Sequence, residues 1–158
     1  MRGKQAPKRV IAPDSKYGSV VIAKLVNSIM KAGKKTTAQK VVYGALDIVA
    51  EQSKDDPTVV FDAAMRNVTP QIEVVSRRVG GANYQIPIPV RGERRTALAF
   101  RWLIGAANTR KGKPMSEKLA SEILEAAKGE GSAVKKRQDV QRMAEATRRP
   151  LADVLVGA

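Results

Sequence analysis

The chain has 158 residues, 43% of them hydrophobic and 28% charged, which is typical of one compact domain. It carries 29 Lys and Arg against 15 Asp and Glu, a formal net charge of +14, and it has no His or Cys. This composition excludes imidazole and thiolate catalysis, disulfides and cysteine-bearing zinc sites. We therefore expect no enzyme activity, cofactor, metal or small-molecule substrate. No apolar run approaches the roughly 18 residues of a membrane span, and segment 1–16 lacks the apolar region of a secretory signal.

The first third of the chain predicts a basic arm followed by two helices. Residues 1–18 contain two prolines and five cations and favour an extended arm. Apolar residues then recur at three- and four-residue steps from Val21 to Ile29, and Gly33 is a suitable C-terminal stop. The spacing of Thr36 and Gln39 predicts a capping box at the start of the second helix.

Four more helices are predicted from the same periodicity. Asp56 and Pro57 are suited to the N-cap and first position of the third helix. The fourth spans about 93–109, Ser116 can cap the fifth, and the sixth is expected to end at Pro150.

A β-hairpin is predicted over residues 71–91, because apolar residues alternate with period two on both sides of a turn. Gly80 and Gly81 lie in that turn. Pro87 and Pro89 lie two residues apart, so both missing N–H groups fall on the same strand edge. The hairpin is therefore expected to be a two-stranded ribbon.

Together these elements predict a mainly α fold, a bundle of about six helices. One β-hairpin protrudes between the third and fourth helices, and a basic arm precedes the bundle. The expected division is an extended N-terminal arm at 1–18, a helical domain at 19–150 and a C-terminal tail at 151–158.

The placement of the charge suggests a polyanionic partner. Basic residues gather in the arm, in loop 31–35, on the hairpin and around the fourth helix. One such run alone is usually a solvated surface, but several without acidic counterparts repel one another unless a polyanion neutralises them. Phosphate backbone is the common polyanion, so we favour nucleic acid.

The hairpin carries residue types suited to nucleic acid. Arg77 and Arg78 precede the glycine pair, while Tyr84 and Gln85 follow it. Arginine can contact phosphate with two hydrogen bonds, and tyrosine can stack on an unpaired base. The glycines are explained equally well by a tight turn alone. Trp102 is expected in the core.

Several strings of the sequence, taken in order, resemble the bacterial small-ribosomal-subunit protein seven family (the universal S-seven family) over nearly the whole chain. The strings are Ser19-x-Val21 with Leu25-Val26, Gly33-Lys34-Lys35, Val41-Val42 with Ala45, Val75 to Gly81 with Tyr84 to Pro87, Ala97 to Trp102, Ala133 to Arg137 and Met143 to Ala146. The sequence departs from the family pattern after Arg148, where it lacks the usual aromatic, basic ending.

The resemblance implies a primary binder of the 3′ major domain of 16S rRNA that nucleates assembly of the subunit head. It further implies a cytoplasmic location on the ribosome, near the exit tRNA site and the mRNA path. Ribosomal proteins S-nine and S-eleven would be neighbours, and no membrane is involved.

Carried over by position, the resemblance also implies two sets of site residues. The rRNA-binding set is Lys8, Arg9, Lys34, Lys35, Arg77, Arg78, Arg91, Arg94, Arg95, Arg101, Lys111 and Lys113. The set facing tRNA and mRNA is Gly80, Gly81, Tyr84, Gln85, Arg142 and Arg148.

Two other classes of protein are compatible with the residues. One is a sequence-tolerant DNA-binding architectural protein that uses the basic hairpin, for which a dimer is expected. The other is a protein-interaction module that docks through its apolar C-terminal tail. Truncation after Pro150 would separate the second class from RNA binding.

Overall fold

The computed structural model describes residues 3, 6–7, 9–79 and 82–156, with the side chains of 79, 82, 84 and 148–156 left out. The described part contains six helices and one hairpin, which confirms the predicted fold class. The elements in chain order are α1 (Val20–Ile29), α2 (Lys35–Ser53), α3 (Pro57–Val68), β1 (Ile72–Val79), β2 (Ala82–Pro89), α4 (Gly92–Thr109), α5 (Met115–Ala127) and α6 (Ser132–Val156).

The start of α3 follows the sequence prediction. The Asp56 carboxylate accepts a hydrogen bond from the Thr58 N–H at 2.9 Å, and Pro57 occupies the first helical position. Proline is favoured there because its missing N–H would have no intrahelical partner. The helix ends at Val68, two residues before Pro70.

Two predicted helix starts are wrong by two residues. Helix α2 begins at Lys35 without a side-chain cap, so Thr36 lies inside its first turn. Gly33 has φ 72° and belongs to the turn that leads into α2, whereas α1 already ends at Ile29. Similarly, α5 begins at Met115 with Pro114 as its N-cap rather than Ser116, because the extended Pro114 backbone accepts the Lys118 N–H.

The prediction that Pro150 ends the last helix is also wrong, because α6 continues to Val156. A proline removes one backbone hydrogen bond and strains the preceding turn, but that cost can bend a helix instead of ending it. Leu151, Ala152 and Leu155 are strong helix formers that favour continuation.

The core lies where α2, α3 and α5 meet, with α1, α4 and the start of α6 packed around them. Its largest fully buried side chains include Phe61, Leu46, Leu119 and Ile123. Trp102, which was predicted to lie in the core, is only half-buried and packs against the core from its edge. Aliphatic side chains thus supply most of the burial, in keeping with the 4% aromatic content.

The hairpin is a two-stranded antiparallel ribbon with contacts to α6. Its register pairs Ile72 with Pro89, and Val90 N–H donates to Gln71 O at 3.0 Å. Since N–H groups alternate along a strand, the nitrogens of Pro87 and Pro89 face away from β1. This geometry explains why proline is tolerated here. The predicted glycine turn at 80–81 lies outside the described residues.

Within the described ranges, no helix has the length and apolar character needed to cross a membrane.

Candidate nucleic-acid interface

The predicted cations lie mainly at the surface. The exposed members are Arg9, Lys34, Lys35, Arg77, Arg78, Arg91, Arg94, Arg101, Lys111, Lys113 and Arg142. Arg95 is half-buried, Lys8 is outside the described residues, and the side chain of Arg148 is not described.

Three neighbouring depressions, which share lining residues, lie along α4. At its first end, a depression of about 440 Å³ is lined by Arg9, Lys24 and Phe100. The next depression, of about 460 Å³, shares Phe100 with the first and includes Arg101. A third, of about 360 Å³, shares Asn108 with the second. We call these three depressions together the basic groove.

The far end of the basic groove brings two predicted basic loops together. Lys31 and Lys34 of the α1–α2 loop line it, as do Asn108 and Met115, which flank the α4–α5 loop. Lys118 of α5 completes this end. The structure thus unites Arg9, Arg101 and Lys34, which are far apart in the sequence.

Four groove residues were missed by the sequence reasoning. Lys24, Asn27 and Ser28 of α1 line the end near Arg9, and Lys118 lines the opposite end. A signal existed in the polar pair Asn27 and Ser28, which interrupts the apolar pattern of α1. This polar pair becomes part of the groove because α4 packs beside α1.

Arg77 and Arg78 extend to opposite faces of the hairpin, because neighbouring residues of a strand alternate. The register pairs Arg77 with Tyr84 and Arg78 with Asn83. No ion pair is found for either arginine among the described residues, and both are exposed. The two guanidinium groups therefore present charge on two sides of the ribbon.

Arg94 and Arg95 also have a structural role at the base of the hairpin. Arg94 Nε lies 2.8 Å from both carboxylate oxygens of Glu73, and Arg95 Nε donates to Val90 O at 2.9 Å. These contacts fasten the first turn of α4 to the strands. Both residues were predicted to contact RNA, and the structure shows that they also hold α4 against the hairpin.

Arg110 anchors the α4–α5 loop. It donates to the Glu122 carboxylate, which is fully buried, and to Glu125. The other Glu122 oxygen accepts the Ala133 N–H at 2.9 Å. The hydrogen bond to Glu125, followed by that to Glu122, raises the pKa of Arg110, while Arg110 lowers the pKa of Glu125. This network fixes the loop that carries Lys111 and Lys113.

The predicted arm ends in a folded turn against α2. Buried Asp14 accepts the backbone N–H groups of Lys16 and Tyr17 and the Tyr43 hydroxyl, the last at 2.7 Å. Lys16 Nζ lies 2.7 Å from Asp47 Oδ1, and the hydrogen bond raises the Lys16 pKa. Burial raises the pKa of Tyr17, whose ring meets that of Tyr43 edge-on at 6.0 Å. The two tyrosines therefore anchor the arm.

On α6, Arg142 has a 78% exposed side chain and lies 3.8 Å from Asp139. A pair this exposed is weak, so Arg142 remains available to a ligand. Across the described residues, no group of three or more acidic, His or Cys side chains could hold a metal ion.

The fold and its surface define a class: a helical nucleic-acid-binding protein whose exposed cations outnumber their acidic partners. The family of ribosomal protein S7p/S5e matches residues 1–148. The small ribosomal subunit protein uS7 of Thermotoga petrophila is 56% identical over 148 residues, covering 94% of this chain and 96% of its own. That of Methylobacterium radiotolerans is 58% identical over 147 residues, covering 93% and 94%.

The chain belongs to the ribosomal protein S7p/S5e family. It is a protein of the small ribosomal subunit in the bacterial cytoplasm, and its role is structural, not enzymatic. The resemblance identified from the sequence, the RNA-binding class and the location are thereby confirmed.

Proposed function

We propose that the chain is the primary 16S rRNA-binding protein that binds the 3′ major domain and nucleates assembly of the head. The observation that carries this proposal is the basic groove, which gathers cations of the arm, α1, α4 and the α1–α2 loop along one surface. An RNA strand is a long polyanion, so cations gathered in adjoining depressions suit it better than scattered charges do.

Within the basic groove, phosphate contacts provide most of the affinity. Arg101 and Lys34 are exposed and have no ion pair in the described part of the chain, so their charge is available to phosphates. Each neutralised phosphate releases counterions, which favours binding at low salt. Neutralisation also lets rRNA helices approach one another as the junction folds.

The hairpin and α6 supply a second surface, which we assign to exit-site tRNA and mRNA. Gln85 and Arg142 are exposed there, and the hairpin packs on α6. Gly80, Gly81, Tyr84 and Arg148 belong to the same proposed surface by position. Ribosomal proteins S-nine and S-eleven are the proposed protein neighbours.

The test is a filter-binding titration against the 3′ major-domain rRNA fragment, with scrambled RNA and duplex DNA as competitors. At about 50 and about 200 mM salt, a binder of 6–10 phosphates loses roughly 10³–10⁵ in affinity. We expect the rRNA fragment to stay well ahead of both competitors at the higher salt. Equal binding of all three would reduce the groove to a general polyanion surface and favour the DNA-binding alternative.

A double variant tests the hairpin separately. Arg77→Ala with Arg78→Ala removes two exposed charges whose side chains form no hydrogen bond or ion pair among the described residues. We expect weaker binding of rRNA or of tRNA at the exit site, with unchanged helical circular dichroism. Loss of helical signal would contradict the proposal that these arginines act at the surface.

A further inference from the structure

A second, smaller cleft lies at the base of the hairpin, where the end of α3, the start of β1 and α6 meet. Its volume is about 270 Å³. It is lined by Arg66, Thr69, Pro70, Gln71, Ile72, Arg137 and Gln141. None of these residues lines the basic groove, so the cleft is a separate feature.

Arg137, one of the residues that line this cleft, carries an unsatisfied donor. Its Nε is buried and finds no hydrogen-bond acceptor among the described residues. A buried N–H without an acceptor is rare in native proteins, because removing it from water costs free energy that no bond returns. An ordered water can satisfy such a group, and so can an acceptor supplied by a bound partner.

The cleft contains no internal anion to satisfy its two arginines. The described lining residues include no Asp or Glu, and neither Arg66 nor Arg137 forms an ion pair in the described part of the chain. The nearby acid on α6, Asp139, lies beside Arg142 instead. The Thr69 hydroxyl donates a hydrogen bond to Met65 O at 2.6 Å and has no further proton to donate to a ligand.

We propose that this cleft binds one phosphate of an RNA backbone through Arg66 and Arg137. The proposal rests on the RNA-binding function proposed above. Guanidinium groups match phosphate geometry with paired hydrogen bonds, and the amides of Gln71 and Gln141 can add donors to a phosphate oxygen. Ile72, 38% exposed, offers an apolar surface to the adjoining sugar.

An RNA backbone fits this cleft better than an acidic protein side chain does. Arg77 and Arg78 lie on β1 five and six residues beyond Ile72, about 17–20 Å along the strand at ~3.4 Å per residue. Cations in the cleft and further along the hairpin match an anion that repeats. A single carboxylate would satisfy the cleft alone and leave the hairpin arginines without partners.

The first experiment compares the salt dependence of RNA binding among three variants of the full chain. Arg66→Gln and Arg137→Gln each remove one cleft charge. Lys54→Gln is the matched control, because Lys54 is exposed beside Asp55 and Asp56, away from the cleft and the groove. We expect about tenfold weaker binding for each cleft variant and a slope of log K against log salt reduced by about 0.7–0.9. The control should match the wild type.

The second experiment uses the wild-type protein, so it does not depend on how a variant folds. The Arg137 Nε–H is followed by nitrogen–proton NMR during separate titrations with inorganic phosphate, the rRNA fragment and a poly-glutamate peptide. We expect phosphate and RNA to shift this signal. A shift with the acidic peptide but not with RNA would overturn the proposal and assign the cleft to a protein carboxylate.

The outcomes separate this inference from the proposed function. If the wild type shows no preference for the rRNA fragment, the proposed function fails. If the wild type prefers that fragment while both cleft variants keep its affinity and salt slope, only the cleft proposal is refuted. Arg137 would then be a packing residue of α6.

Discussion

Replacing Arg110 with alanine should destabilise the protein far more than replacing any exposed arginine. Arg110 Nη2 lies 2.6 Å from Glu122 Oε2, and the Glu122 side chain is 0% exposed. Arg110→Ala would leave that carboxylate buried with only the Ala133 N–H as a partner. Without the guanidinium, the negative charge has neither water nor a cation to stabilise it.

The expected magnitude follows from this burial. Removing one partner of a buried ion pair costs about 3–5 kcal/mol. Since domains are stable by about 5–15 kcal/mol, this is a large share of the total. At about 2–4 °C per kcal/mol for a chain of this size, the midpoint of thermal unfolding should fall by about 6–20 °C.

The assay is thermal and urea unfolding followed by circular dichroism. Arg94→Ala is the matched control, because Arg94 also holds a carboxylate, that of Glu73, but its own side chain is 56% exposed. Exposed pairs contribute about 0–1 kcal/mol, so this control should unfold near the wild type. Adding Glu122→Gln to Arg110→Ala should restore much of the loss. Equal stability of Arg110→Ala and the control would refute the reasoning.

Two further predictions concern the arm and acid stability. Tyr43→Phe removes the hydrogen bond to buried Asp14 and should lower the free energy of unfolding by about 1.5–3 kcal/mol, as measured by urea unfolding. Proteolysis of the arm turn should become faster. An unchanged rate of cleavage would contradict the proposal that Tyr43 anchors the arm. The hydrogen bond from Arg110 holds the Glu125 pKa below its usual 4.5 in the folded state. The ionised carboxylate therefore stabilises the fold above pH 4.5, and this stabilisation is lost as the pH falls through the lowered folded-state pKa. Glu125→Gln should therefore lose less thermal stability than the wild type between about pH 5 and pH 3; parallel losses would contradict this.

The elements of the fold could be predicted because each depends on local pattern. The cap formed by Asp56 and the period-two alternation of the hairpin are properties of a few neighbouring residues. The misses lie where a wider context decides. Thr36 and Ser116 have the residue type of a cap, but the preceding backbone starts each helix earlier. Pro150 has the residue type of a stop, yet α6 passes through it.

The candidate site could be predicted only in part, for the same physical reason. Charge runs revealed Arg101 and Lys34, but their alignment in one groove depends on how α4 packs beside α1 and the α1–α2 loop. The cleft of Arg66 and Arg137 was missed because its two arginines lie 71 positions apart in the sequence. No sequence window contains both.

The arginines of this chain thus form two groups: those that the fold places next to an acidic side chain and those that it does not. Arg94 and Arg110 find Glu73 and Glu122, whereas Arg101 finds no acid among the described residues. The unpaired cations repel one another in the free protein, so salt should ease that repulsion while it weakens the complex with RNA. Added salt should therefore stabilise the free protein and weaken its complex with RNA. These opposite effects are expected of a chain with a net charge of +14 whose counter-charge is supplied by the ligand.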